Sequence, residues 1–100
     1  MQDISFNLVQ PNIVWEDKEA NFQRIEGLLK NSRPAGVVVL PETFPTGFSH
    51  KPDSLAEPMS GQSVRWMQEV AARYGCLLIG SLLIHDGGYY NRLVAVHETG

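Results

Sequence analysis

Gly36-Val37-Val38-Val39-Leu40-Pro41-Glu42-Thr43-Phe44 is the stretch whose reading decides the fold of this chain. Val37 to Leu40 is a run of apolar residues, mostly β-branched, suited to a strand buried on both faces. Just past that strand, after Pro41, stands a single carboxylate, Glu42. Ligand sites in open parallel sheets lie beyond the carboxyl ends of the strands. Position alone leaves Glu42 open as a solvated loop residue or a helix-start charge. The residues after it weigh against that: Pro41 to Ser49 is rich in Pro, Gly and Thr, contains Phe44 and Phe48, and carries no charge except Glu42. An apolar loop around one carboxylate has the composition of a pocket wall, and a carboxylate in such a wall can serve as a general base.

Val39-Leu40-Pro41-Glu42-Thr43-Phe44 resembles the first catalytic motif of the nitrilase superfamily, the carbon–nitrogen hydrolases. The continuation Thr46-Gly47-Phe48-Ser49 resembles the omega-amidase branch, which hydrolyses the terminal amides of 2-oxo acids such as 2-oxoglutaramate. The resemblance assigns Glu42 the role of general base. It also implies a lysine and a nucleophilic cysteine from later motifs, and these are expected beyond Gly100. On this reading residues 1–100 are the N-terminal part of a single hydrolase domain, inactive alone. No cofactor is implied. The substrate is a small linear amide, and the family commonly forms dimers.

Around this stretch the chain reads as strand and helix in alternation. Ile4, Phe6 and Leu8 alternate with polar residues as a first strand does. Trp15 follows in the connection as a lid over the core. Asp17 is a candidate N-cap for a helix to about Asn31, with Phe22, Ile25, Leu28 and Leu29 on its inner face. Glu26 and Lys30 form an i, i+4 pair on its surface. After the Phe48 loop, residues 50–58 are polar and without period. Ser60 is a candidate cap for a second helix from Gln62 to Tyr74, with Val64, Met67, Ala71 and Tyr74 facing inward and Gly75 as its left-handed stop. Cys76 to Ile84 reads as a second strand buried on both faces, Asp86-Gly87-Gly88 as a hairpin turn, and Tyr89 to Val96 as an antiparallel return strand. The class is α/β, with order β-α-β-α-β-β: a mixed sheet with helices on one face. The resemblance makes this the N-terminal part of a nitrilase-like α-β-β-α sandwich.

Composition narrows the function classes. The 100 residues are 43% hydrophobic and 19% charged, which describes a globular chain. A formal net charge of −3 and basic residues in no run argue against nucleic acid. No apolar stretch approaches the ~20 residues of a membrane span, and Met1-Gln2-Asp3-Ile4 does not begin a signal peptide. A lone cysteine makes no internal disulfide, and these features taken together read as cytoplasmic.

The remaining polar residues sort by context. Cys76 opens a strand of leucines and isoleucines, where a thiol behaves as a small hydrophobe and not as a nucleophile. Lys30 and Lys51 read as solvated. His50, His85 and His97 lack metal-site spacing, so no metal is expected. Asn91 sits inside a strand, where asparagine is disfavoured, so its side chain is expected to bond to nearby backbone. Asn91-Arg92 resembles the omega-amidase branch, and the resemblance implies that Asn91 is site support for the loop around Glu42. Phe44 and Phe48 are the candidate substrate-binding residues; filling the core under the loop is the alternative for both.

A sheet apolar on both faces needs cover on both, and two helices cover one. The other face is expected to pack against later sequence. The competing reading is a small non-catalytic α/β module that dimerises through that face, with Glu42 a structural carboxylate.

Overall fold

The computed structural model describes residues 6–9, 13, 16–32, 36–47, 55–97 and 99. Within them the order is β1 (Phe6–Leu8), α1 (Lys18–Ser32), β2 (Gly36–Val39), α2 (Gln62–Tyr74), β3 (Cys76–His85) and β4 (Tyr89–Val96). The expected β-α-β-α-β-β order is therefore the observed one. Trp15, Phe48, His50 and Lys51 lie outside the described residues.

The strands form one sheet in the order β1-β2-β3-β4. β1, β2 and β3 run parallel, with Leu8 beside Val39 and Val39 beside Ile79. Parallel neighbours need long crossovers, and the two helices supply them. β4 returns antiparallel to β3, from His85 opposite Tyr89 to Leu78 opposite Val96. Gly87 at φ 69 makes that turn, a conformation in which a side chain would be strained.

The two faces of the sheet differ. Val38, Cys76, Leu78, Leu82, Ile84, Val94 and Val96 are buried in one cluster with Phe22, Ile25 and Leu29 of α1 and Val64, Trp66, Met67, Val70 and Ala71 of α2. Alternation puts Val37, Val39, Leu77, Ile79 and Leu83 on the opposite face, where they are only partly buried. Leu8 and Leu93, on that same face by register, are each 72% exposed. Two-sided burial is thus realised on the helix face only.

The helix ends follow local chemistry. The Asp17 carboxylate accepts from the Ala20 N–H at 3.1 Å, the expected N-cap of α1. Gly75 at φ 62 closes α2, its N–H bonded to the Ala71 carbonyl. Three expectations are corrected. Leu28 is 44% exposed, because Asn21, Ile25 and Leu29 form the buried stripe one step round the helix. Glu26 does not pair with Lys30; it turns to α2, where it accepts from the Trp66 indole at 3.1 Å and from Arg73 at 3.4 Å. A buried indole N–H needs an acceptor more than a solvated lysine needs a partner. Ser60 does not cap α2: Gly61 holds the N-cap position without a side-chain bond.

The cap comes instead from Glu57, in the segment whose sequence showed no period. Its backbone joins the sheet edge, donating to the Leu83 carbonyl at 3.1 Å and accepting from the His85 N–H at 2.8 Å. Its carboxylate accepts from the Ser63 N–H at 2.8 Å, from the Ser63 hydroxyl, and from Lys18 Nζ at 2.7 Å. Lys18 also donates to the Leu55 carbonyl at 2.7 Å. One buried carboxylate thereby ties the starts of α1 and α2 to the end of β3.

Candidate active site

Glu42 opens the turn that follows β2, at the carboxyl end of the parallel strands. Leu40 makes the last ladder bond to β3, its N–H to the Ile79 carbonyl at 2.7 Å. Pro41, which faces β1 by register, has no N–H to offer on that side. The chain turns over β3, and Glu42 reaches the far strand: Asn91 Nδ2 on β4 donates to Glu42 Oε1 at 2.8 Å. An open cleft of about 380 Å³ lies on this face, lined by Val39, Leu40, Glu42, Ile79, Ser81, Asn91 and Leu93. It is an apolar floor with one exposed carboxylate, one amide and one hydroxyl at its rim, the usual make-up of a small-ligand site.

The turn carrying Glu42 is fixed on three sides. From the sheet, Ser81 accepts the Thr43 N–H on its hydroxyl at 2.8 Å and the Phe44 N–H on its carbonyl at 3.2 Å. From α1, the Asn21 side chain, fully buried, donates to the Pro45 carbonyl at 2.6 Å. The Glu16 N–H donates to the Thr46 carbonyl at 2.8 Å. Within the turn, the Thr43 carbonyl accepts from Thr46 and Gly47, and Thr43 Oγ1 donates to the Glu42 carbonyl at 2.8 Å. Thr43 has φ 47. A β-branched residue in the left-handed region is a true outlier, of the kind that collects at functional sites.

The structure brings Glu42 and Asn91 together and sends Phe44 elsewhere. Phe44 is fully buried on the helix side, its ring 5.5 Å from Trp66 and 6.4 Å from Phe22, while Phe22 and Trp66 stack at 4.7 Å. It anchors the turn from below and is not among the residues lining the cleft. Gly80 makes this possible: a Cβ there would stand 2.9 Å from two atoms of the Phe44 ring. Phe48 lies outside the described residues. Cys76 is buried, as a structural thiol is.

Sequence reasoning missed Ser81, Asn21, Trp66 and Glu57. Two of them left a signal. Asn21 is an amide in register with the apolar stripe of α1, and a buried amide must find a partner. Gly80-Ser81 interrupts an otherwise aliphatic strand, which marks a close approach by another part of the backbone. Among the described residues no three His, Cys, Asp or Glu side chains are grouped to hold a metal, and no helix is long and apolar enough to cross a membrane.

Comparison with known proteins finds related chains. Residues 7–100 match the family described as carbon-nitrogen hydrolase. The chain is 31% identical over 101 aligned positions to the omega-amidase YafV of Yersinia enterocolitica, covering 100% of this chain and 39% of that protein. The crystal structure of XC1258 from Xanthomonas campestris, a CN-hydrolase superfamily protein with an arsenic adduct in its active site, superposes with a TM-score of 0.91 at 35% identity, covering 99% of this chain and 38% of that one. Saccharomyces cerevisiae Nit3, of branch 10 of the nitrilase superfamily, gives 0.79 at 27% identity, covering 97% of this chain and 41% of that one. The chain thus spans well under half the length of these relatives.

Proposed function

The chain belongs to the carbon–nitrogen hydrolase family, and from that premise we propose that it is the base-bearing part of an omega-amidase, releasing ammonia from the terminal amide of a 2-oxo acid. The observation that carries this reading is Glu42: a carboxylate at the end of β2, on the rim of an apolar cleft, held by Asn91 at 2.8 Å. Similarity to the omega-amidase YafV supports the substrate class.

The chemistry is acyl transfer through a cysteine thioester, with the cysteine and the oxyanion-stabilising lysine supplied from outside these 100 residues. Glu42 accepts the thiol proton as sulfur attacks the amide carbon. The C–N bond breaks, the proton leaves with the nitrogen as ammonia, and a thioester remains. Glu42 then takes a proton from water as the hydroxide adds to that thioester, releasing the 2-oxo dicarboxylate and regenerating the thiol. Asn91 keeps one carboxylate oxygen engaged, so the other is directed at the reacting groups.

The test is ammonia release by the full-length protein from 2-oxoglutaramate against glutamine and simple aliphatic amides. Preference for the 2-oxo acid amide by one to two orders of magnitude in kcat/KM is expected. Equal rates on all three would remove the substrate assignment. One feature favours a second reading: the open sheet face carries Leu8 and Leu93, each 72% exposed. A non-catalytic module dimerising through that face would release no ammonia from any amide at full length.

A further inference from the structure

We propose that Ser81 is the positioning residue of this site: its hydroxyl holds Thr43 in the left-handed conformation that sets the Glu42 carboxylate against the cleft. The inference rests on the reading of Glu42 as the base.

The case begins at the point where β2 ends. Up to Leu40 the turn side of β3 is satisfied by backbone, the Leu40 N–H meeting the Ile79 carbonyl at 2.7 Å. Beyond Leu40 the chain turns, and the amides of Thr43 and Phe44 reach β3 out of regular register. Ser81 meets both of them, with its side chain for Thr43 at 2.8 Å and its carbonyl for Phe44 at 3.2 Å. Any residue at this position offers the carbonyl. Only a hydroxyl or similar acceptor offers the other contact, and it is given to the residue directly after Glu42.

That residue is the strained one. Thr43 at φ 47 holds a conformation rarely adopted by β-branched residues, which persists only where its surroundings over-determine it. With the Ser81 hydroxyl removed, the buried Thr43 N–H loses its acceptor and the peptide can relax toward ordinary φ. Glu42, one bond upstream, then rotates away from Asn91. Ser81 is 8% exposed and lines the same cleft as Glu42 and Asn91, so the hydroxyl acts at the site itself and not at a distance.

The experiment measures kcat and KM for ammonia release by the full-length protein, with Glu42→Gln as the control. Ser81→Ala is expected to lower kcat by about 10- to 100-fold with KM within about twofold, the size of effect that small misplacements of a catalytic group produce. Ser81→Thr and Ser81→Val have nearly the same shape and differ in the hydroxyl; the first should keep kcat within about fivefold and the second should lose it as alanine does. This pair decides the matter even if the alanine variant is recovered unfolded. Thr43→Gly removes the strain at that φ, so in its background Ser81→Ala should cost markedly less than alone. Equal kcat for Thr and Val at this position, or losses that simply add with Thr43→Gly, would overturn the proposal. An inactive Glu42→Gln beside a fully active Ser81→Val removes this inference alone, whereas an active Glu42→Gln removes the base assignment and this inference together.

Discussion

Asn91 on β4 donates its side-chain amide to Glu42 beyond β2 at 2.8 Å, although the two residues are 49 apart in the sequence. The contact passes over β3, the strand between them, at the point where β2 has ended and left that part of β3 uncovered. A carboxylate and an amide thus share one rim above an apolar floor, the arrangement on which the proposed general-base role of Glu42 rests.

Replacing Glu42 by glutamine keeps the shape of the side chain and removes its basicity. In the full-length protein turnover should fall by about 10²- to 10⁴-fold, the contribution typical of a positioned base. Thermal unfolding should be nearly unchanged, since the carboxylate is exposed. Steady-state ammonia release and a melting curve on the same preparation check both halves; wild-type kcat would sink the assignment.

The Asn91 contact predicts an order among substitutions. Asn91→Ala frees the Glu42 carboxylate to rotate and should lower kcat. Asn91→Asp should lower it further, because a second carboxylate within hydrogen-bond distance disfavours the ionised base. If alanine and aspartate were equally active, the amide would be a bystander to Glu42.

Phe44 and Gly80 fit as ring and gap. Phe44→Ala should destabilise by about 3–5 kcal/mol, as emptying a core aromatic site does. Gly80→Ala should cost about 1–3 kcal/mol by overpacking against that ring. Denaturant titrations of the full-length variants measure both. If Phe44→Ala raised KM and left stability alone, Phe44 would belong to the pocket after all.

The Lys18–Glu57 pair is nearly buried, with side chains 14% and 10% exposed. Glu57→Ala strands the ammonium of Lys18 and uncaps Ser63, so a loss of about 3–5 kcal/mol is expected. Lys18→Met should cost less, because the two Ser63 donors still engage the carboxylate. Chemical denaturation compares them; a larger loss for Lys18→Met would reverse the account of which partner organises the corner.

The sequence by itself determined the order of elements and the place of the carboxylate. β-branched runs dictate strands, helical periodicity dictates covers, and Asp17, Gly75 and Gly87 dictate ends and turns, all through short-range backbone preferences. Glu42 was legible for the same reason, being the lone charge in an apolar loop at a strand end. Only the tertiary structure decided which residues meet it. The sequence marks Asn91 as support for the Glu42 loop, and Asn21 and Gly80-Ser81 leave local signals, but the partners of their hydrogen bonds lie across long stretches of chain and are set only by the folded structure. It also decided that Phe44 faces the helices, because Gly80 opens the space there. Glu57 was assigned to the interior by the same logic: in an aperiodic segment, only the arrival of Lys18 and Ser63 makes burial of its charge affordable.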